Sequence, residues 1–245
     1  MILAFLLPAF AVASVSRDDP PTVRYPALPA AAARAQGFVP VGWVLESSES
    51  GDLDGDGKPD LAFVLHMNDP ANVLKNEGGF CGETIDTNPR ILAVALAQPG
   101  GGYRLVAQNH ALVPRRDNPC ADDWLAADGE MGGGIAIARG NVVVTLGRFM
   151  SAGGWGMGRT VFTLRWKDRA LRLIGFDSEN TQRNSGETSS LSVNYLTRKI
   201  RIAHGTIESD AEKVRWARLS GAGLPTIDAI GDGLEFYPEG LASEP

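Results

Sequence analysis

The sequence predicts a mainly β fold, and three observations predict it. Apolar and polar residues alternate with period two in a series of short runs. Those runs are joined by short turns of the kind that close hairpins. The chain also holds 29 glycines in 245 residues, concentrated where the runs break. Hairpin-linked strands with one wet face make an antiparallel sheet. The expected architecture is a single antiparallel β-meander domain with minor helix. Periodicity is equally compatible with an open sheet, a sandwich or a barrel.

The composition suits such a domain. Hydrophobic residues make up 44% and charged residues 21%, with a formal net charge of -6. No apolar run reaches the roughly 18 residues that a spanning helix needs, so no membrane span is expected. The acidic balance argues against nucleic acid or an anionic membrane surface as a partner.

The elements follow in order. Pro29 to Gln36 is Ala-rich with Gly37 after it, which predicts a helix of two turns. Val41 to Leu45 and Leu61 to His66 read as strands. Arg90 to Ala97 is a continuous apolar strand stopped by Pro99 and three glycines, and Tyr103 to Val113 returns from that turn. Three further hairpins are expected: Ile135–Ala138 with Val142–Leu146, Thr160–Trp166 with Leu171–Phe176, and Ser190–Tyr195 with Lys199–Ala203. In the second of these Phe162, Leu164 and Trp166 share one face, opposite Val161, Thr163 and Arg165. Glu208 to Leu219 fits two elements equally, a short helix capped by Ser209 or a polar strand.

Residues 1–13 end in Ala11-Val12-Ala13 after an apolar stretch, the pattern of a secretory signal peptide. Residues 14–22 read as a flexible lead-in, and 23–245 as the single domain. Cys81 and Cys120 form an even pair, which in an exported chain predicts one disulfide. Neither belongs to a C-x-x-C motif, so zinc and thioredoxin-type chemistry are not expected. The expected compartment is the periplasm or the exterior.

One motif carries chemistry. Gly51 to Asp60 reads GDLDGDGKPD and contains D-x-D-x-D-G-x-x-D. Calcium takes six to eight oxygens, and carboxylates at alternate positions of a coiled loop converge on one point. Asp52, Asp54 and Asp56 occupy positions 1, 3 and 5, with Gly57 at the sharp turn. Lys58 would offer its backbone carbonyl, its ammonium pointing to water, and Asp60 a fourth carboxylate. The expected cofactor is calcium. Position 12 is Phe63 rather than the bidentate Glu of an EF-hand, and the flanking sequence is β-like.

The segment GDLDGDGKPDLAFVL resembles the calcium loops of FG-GAP and VCBS-type repeats, found in integrin-type propeller blades; dockerins share a related loop. The resemblance implies calcium held between two strands by Asp52, Asp54, Asp56, the Lys58 carbonyl and Asp60. It covers Gly51 to Leu65 and does not extend to a propeller, because a second D-x-D-x-D-G is absent from the chain. The layout also resembles small exported bacterial proteins with one such loop, preceded by a segment like Phe38–Trp43 and followed by a strand like Leu173–Glu179. That implies a fold and a compartment, and no reaction.

Other candidates are weaker. His66, His110 and His204 are scattered and read as strand or strand-end residues. No nucleophile elbow, Walker loop or dinucleotide fingerprint is present. Asp122, Asp123, Asp128 and Glu130 cluster beside Cys120 and read as a solvated loop, although paired carboxylates also serve glycosidases. Trp155, in a Gly-rich loop, is a candidate contact for a protein or glycan partner in the envelope. The expected function is an exported calcium-binding module that binds a partner or serves the envelope. The alternatives are a calcium-assisted hydrolase of envelope polysaccharide or peptide, and an inhibitor or partner protein presenting the Trp155 loop.

Overall fold

A computed structural model describes residues 20–221 and 223–239. The expected signal peptide lies outside the described residues. The described residues form fourteen strands in antiparallel sheets. Mainly β structure with little helix agrees with the sequence reading, and the arrangement that periodicity left open is two large antiparallel sheets.

The first sheet has the order β1-β7-β6-β3-β2. Its strands are β1 (Ala31–Ala32), β2 (Trp43–Gly51), β3 (Asp60–Met67), β6 (Arg90–Ala97) and β7 (Tyr103–Asn109). The second is an uninterrupted meander. It runs through β8 (Gly134–Ala138), β9 (Asn141–Arg148), β10 (Gly156–Lys167), β11 (Ala170–Gln182), β12 (Glu187–Asn194), β13 (Lys199–Thr206) and β14 (Ser209–Arg218). Between β3 and β6, a short ribbon pairs β4 (Val73–Lys75) with β5 (Thr84–Asp86).

The unbroken apolar runs of β3 and β6 have a packing reason. Side chains alternate across a strand, and here both faces are covered. Ala62, Val64, Leu92, Val94 and Leu96 join one core with Val142, Val144, Leu146, Phe162 and Leu164 of the second sheet. Leu61, Phe63, Leu65, Ile91 and Ala93 join a second core, closed by Leu28, Ala35 and Phe38 of the N-terminal segment. A strand buried on both sides has no polar face to alternate, so it reads as a continuous hydrophobic run.

The expected helix over Pro29–Gln36 is replaced by β1 and a 3-10 turn, Ala35–Phe38. So short a helix is unstable alone. The backbone here pairs with β7 instead, Ala31 opposite Arg104, and Phe38 is driven into the second core with no exposure. Glu208 to Leu219 takes the strand alternative as β14, because its backbone completes the β13 ladder. β7 stops short of the expected Val113: the Asn109 side chain accepts hydrogen bonds from the Ala111 and Leu112 amides and turns the chain. β10 starts at Gly156, inside the expected Gly-rich loop. The lead-in is already tied down at Pro21, whose carbonyl accepts from Arg115 at 2.8 Å.

The two sheets approach closely at one corner. A Cβ on Gly51 would fall 2.6 Å from Cγ2 of Ile137 on β8, and one on Gly140 would fall 3.4 Å from the Asp52 carbonyl. The acidic loop after Gly51 thus lies against the Arg139–Gly140 turn, both residues of which have positive φ. Gly51→Val is expected to lower stability by about 1–3 kcal/mol through overpacking against a stiff β-branched side chain, measured by urea unfolding.

Candidate metal centre

The loop is the connection of the β2–β3 hairpin. Gly51 and Asp60 are the last paired residues of the two strands, so everything between them is a tight excursion at the sheet end. Its carboxylates organise its own backbone. Asp52 accepts from the Gly55 amide at 2.7 Å through one oxygen and from Gly57 at 2.9 Å through the other. Asp54 accepts from the Asp56 amide at 3.1 Å, and Asp56 from Lys58 at 2.8 Å. Gly55 and Gly57 have φ of 83° and 81°, the left-handed region that glycine enters without strain. Such a coil brings the Asp52 and Asp54 carboxylates toward Asp60.

Asp60 plays a different part. It is 1% exposed. One oxygen accepts from the Leu53 amide at 2.7 Å and the other from Ala97 at 2.8 Å. It therefore ties the loop to the end of β6. Burial raises its carboxyl above the ordinary value, the two amides act in the opposite sense, and the Asp54 and Asp52 charges raise it further.

Three of the four expected carboxylates come together. Each of Asp52, Asp54 and Asp60 offers an oxygen, and these oxygens lie within 4.8 Å of one another. That spacing suits a hard cation with oxygen ligands at about 2.3–2.6 Å. Asp56 is set apart from this group. The Lys58 ammonium meets its carboxylate at 2.9 Å instead of pointing to water. That hydrogen bond holds the exposed Asp56 carboxyl below its ordinary value and raises the lysine.

Cys81 and Cys120 form the expected disulfide, with sequence separation 39. It fastens the loop between β4 and β5 to the segment leading into β8. Trp155 is 62% exposed at the entry to β10. Its loop is braced from below by Arg183, which donates to the carbonyls of Met150 at 2.5 Å and Gly154 at 2.8 Å and lies over the Phe149 ring. The expected acidic cluster beside Cys120 is engaged in structure rather than merely solvated. The Asp122 carboxylate accepts from the Glu130 amide, and Asp123 reaches Arg90. His66 lies in β3, His204 in β13, and His110 just after β7, stacked on Tyr25 at 4.1 Å.

A charged cluster escaped the sequence reading. Arg90, 5% exposed, is held bidentately by Glu46 at 2.7 Å and by Asp123 at 2.5 Å. Glu46 is the extra residue of a bulge in β2, between Leu45 and Ser47, which aims its side chain at the arginine. The only trace in the sequence is an arginine opening an otherwise apolar strand.

The fold and this loop define a class: a two-sheet antiparallel β protein with an acidic inter-strand loop pinned to its central strands. Comparison with protein-family models, curated proteins and solved structures gives no match. Among the described residues no helix is long and apolar enough to cross a membrane.

Proposed function

We propose that the protein is an exported binding module whose Asp52–Asp60 loop holds one calcium ion as a structural element. The observation that carries this reading is the convergence of oxygens from Asp52, Asp54 and Asp60 within 4.8 Å. Asp56 and the Lys58 carbonyl complete the donor set, Asp56 by exchanging its lysine partner for the ion. All donors are oxygens, as calcium requires, and none is the nitrogen or sulfur that zinc favours. The ion would neutralise a crowded group of carboxylates and lock the β2–β3 connection against β6. The disulfide is compatible with an oxidising compartment. Isothermal calorimetry should give one calcium per chain, with binding lost in Asp52→Asn/Asp54→Asn. Stoichiometric binding retained by that variant would overturn the assignment.

A second reading, that the module presents Trp155 to a glycan or protein, is favoured by the exposed indole on its arginine-braced loop. Trp155→Ala should then abolish binding to envelope glycans on an array while leaving the thermal midpoint unchanged.

A further inference from the structure

β14 is an edge of the second sheet, and nearly all of its residues are exposed. Directly opposite residues on antiparallel strands share a face, and so do residues two apart on one strand. Arg201 lies opposite Trp216, and Lys199 opposite Arg218. These four side chains therefore stand on one face. Ile200 and Ala217, also opposite each other, face the core. Where this ribbon meets the turn between β12 and β13, an open hollow of about 640 Å³ is lined by Thr197, Arg198, Lys199, Trp216, Ala217 and Arg218. The turn is braced. The Thr197 amide donates to Asn194 at 2.9 Å, and the Arg198 guanidinium donates to the carbonyls of Leu219 and Gly221.

The lining holds three cations and no carboxylate, in a chain whose net charge is -6. Arg198 is engaged by its two carbonyls, and Arg201, beside the hollow, by Glu212 and Ser190. The exposed Lys199 and Arg218 side chains carry no ion pair or hydrogen bond among the described residues. Trp216 is 64% exposed and is the one broad apolar surface in the hollow. An aromatic face is electron-rich, so it attracts C–H bonds polarised by neighbouring oxygens, as on the face of a sugar ring. A ligand matched to this lining is polar around its rim, has one C–H face and bears negative charge. Trp216 and Arg218 stand about 6–7 Å apart along the strand, a separation spanned by a ring on the indole with a carboxylate at its edge. The volume lies in the usual range of ligand sites, about 300–1,000 Å³. An acidic peptide laid along β14 matches less well, because Asp210 and Glu212 in the first half of the strand would repel it.

We propose that this hollow is a binding site for a uronic acid unit of an acidic glycan, its ring stacked on Trp216 and its carboxylate held by Lys199 and Arg218. The site rests neither on the calcium loop nor on Trp155. The guanidinium over the Trp155 ring, Arg183, is engaged by two carbonyls, so a uronate meets no free cation there.

The test uses the full chain, isotope-labelled, in amide correlation spectra with and without a calcium chelator. Tetraglucuronate is the probe. Cellotetraose, with hydroxymethyl groups in place of the carboxylates, is its neutral counterpart, and hexaglutamate represents an acidic peptide. The probe should shift the Trp216 indole N–H and the amides of Thr197, Lys199 and Arg218 in a saturable manner, with or without chelator. Cellotetraose lacks the charge-assisted contacts and hexaglutamate the stacked ring, so each should bind at least about tenfold more weakly. Trp216→Ala and Lys199→Gln/Arg218→Gln alter exposed side chains only. Each should keep the rest of the spectrum and weaken the probe about tenfold, whereas Trp155→Ala should bind it as the wild type does. The proposal is overturned if tetraglucuronate leaves those resonances unmoved, if cellotetraose or hexaglutamate matches it, if Trp216→Ala or the double variant binds as well as the wild type, or if Trp155→Ala removes the binding.

Discussion

Arg90→Met is expected to lower the stability of the fold by about 3–5 kcal/mol, the cost of removing one partner from a buried ion cluster. Arg90 sits at the start of a strand buried on both faces, and two carboxylates converge on it. Methionine replaces the aliphatic stem but leaves Glu46 and Asp123 facing each other without a counter-charge. Chemical denaturation measures the loss. A change below 1 kcal/mol would mean that the cluster adds nothing beyond packing.

The same cluster gives an acid-sensitivity prediction. Burial alone would raise the Asp123 carboxyl, but the Arg90 charge, the Leu125 amide and the Arg90 hydrogen bond outweigh it and hold it below the ordinary value. A carboxyl depressed in the folded state contributes stability that is present above its unfolded value, about 3.9, and lost as pH falls through the folded value. Arg90 keeps its charge throughout, its own ionisation pushed up because the two carboxylates outweigh burial. Wild-type stability should therefore fall between about pH 4 and pH 2 more steeply than that of Arg90→Met. Equal slopes for the two proteins would contradict this assignment.

The second large effect is expected from the disulfide. Cys81→Ser/Cys120→Ser opens a loop closed over a separation of 39 residues, which in the chain-entropy model costs about 4 kcal/mol. The bond joins two segments without long strands of their own, so few other contacts substitute for it. A reducing agent should lower the unfolding midpoint of the wild type and leave the double variant unchanged. If reduction leaves the wild type unmoved, the bond is not a stabilising element.

Much of the β structure was legible because it is local. Arg139–Gly140 and Asp168–Arg169 mark their hairpins by position between alternating runs, and both pairs take the positive φ that such turns demand. The acidic loop was legible for the same reason, since its geometry is written in nine consecutive residues. What escaped depends on distant partners. The Ala-rich segment looks helical until β7 offers its backbone and the second core takes Phe38. Glu208–Leu219 is ambiguous alone because β14 is exposed on nearly every residue and so lacks a hydrophobic period. Glu46, Arg90 and Asp123 are 33 and 44 residues apart from one another across the arginine, and only the bulge in β2 brings the first of them into line. Within the loop itself, spacing grouped Asp56 with the other acids, whereas the short reach to Lys58 draws it aside.

The most direct measurement of the calcium reading is a thermal melt of the full chain in excess calcium and in excess chelator. An ion bound only by the folded state stabilises it by about 2.7 kcal/mol at a hundredfold excess over Kd, or about 5–10 °C in Tm for a domain of this size. The wild type should show that shift, magnesium should reproduce little of it, and Asp52→Asn/Asp54→Asn should show none. A wild-type midpoint that is the same in calcium and in chelator would contradict the account.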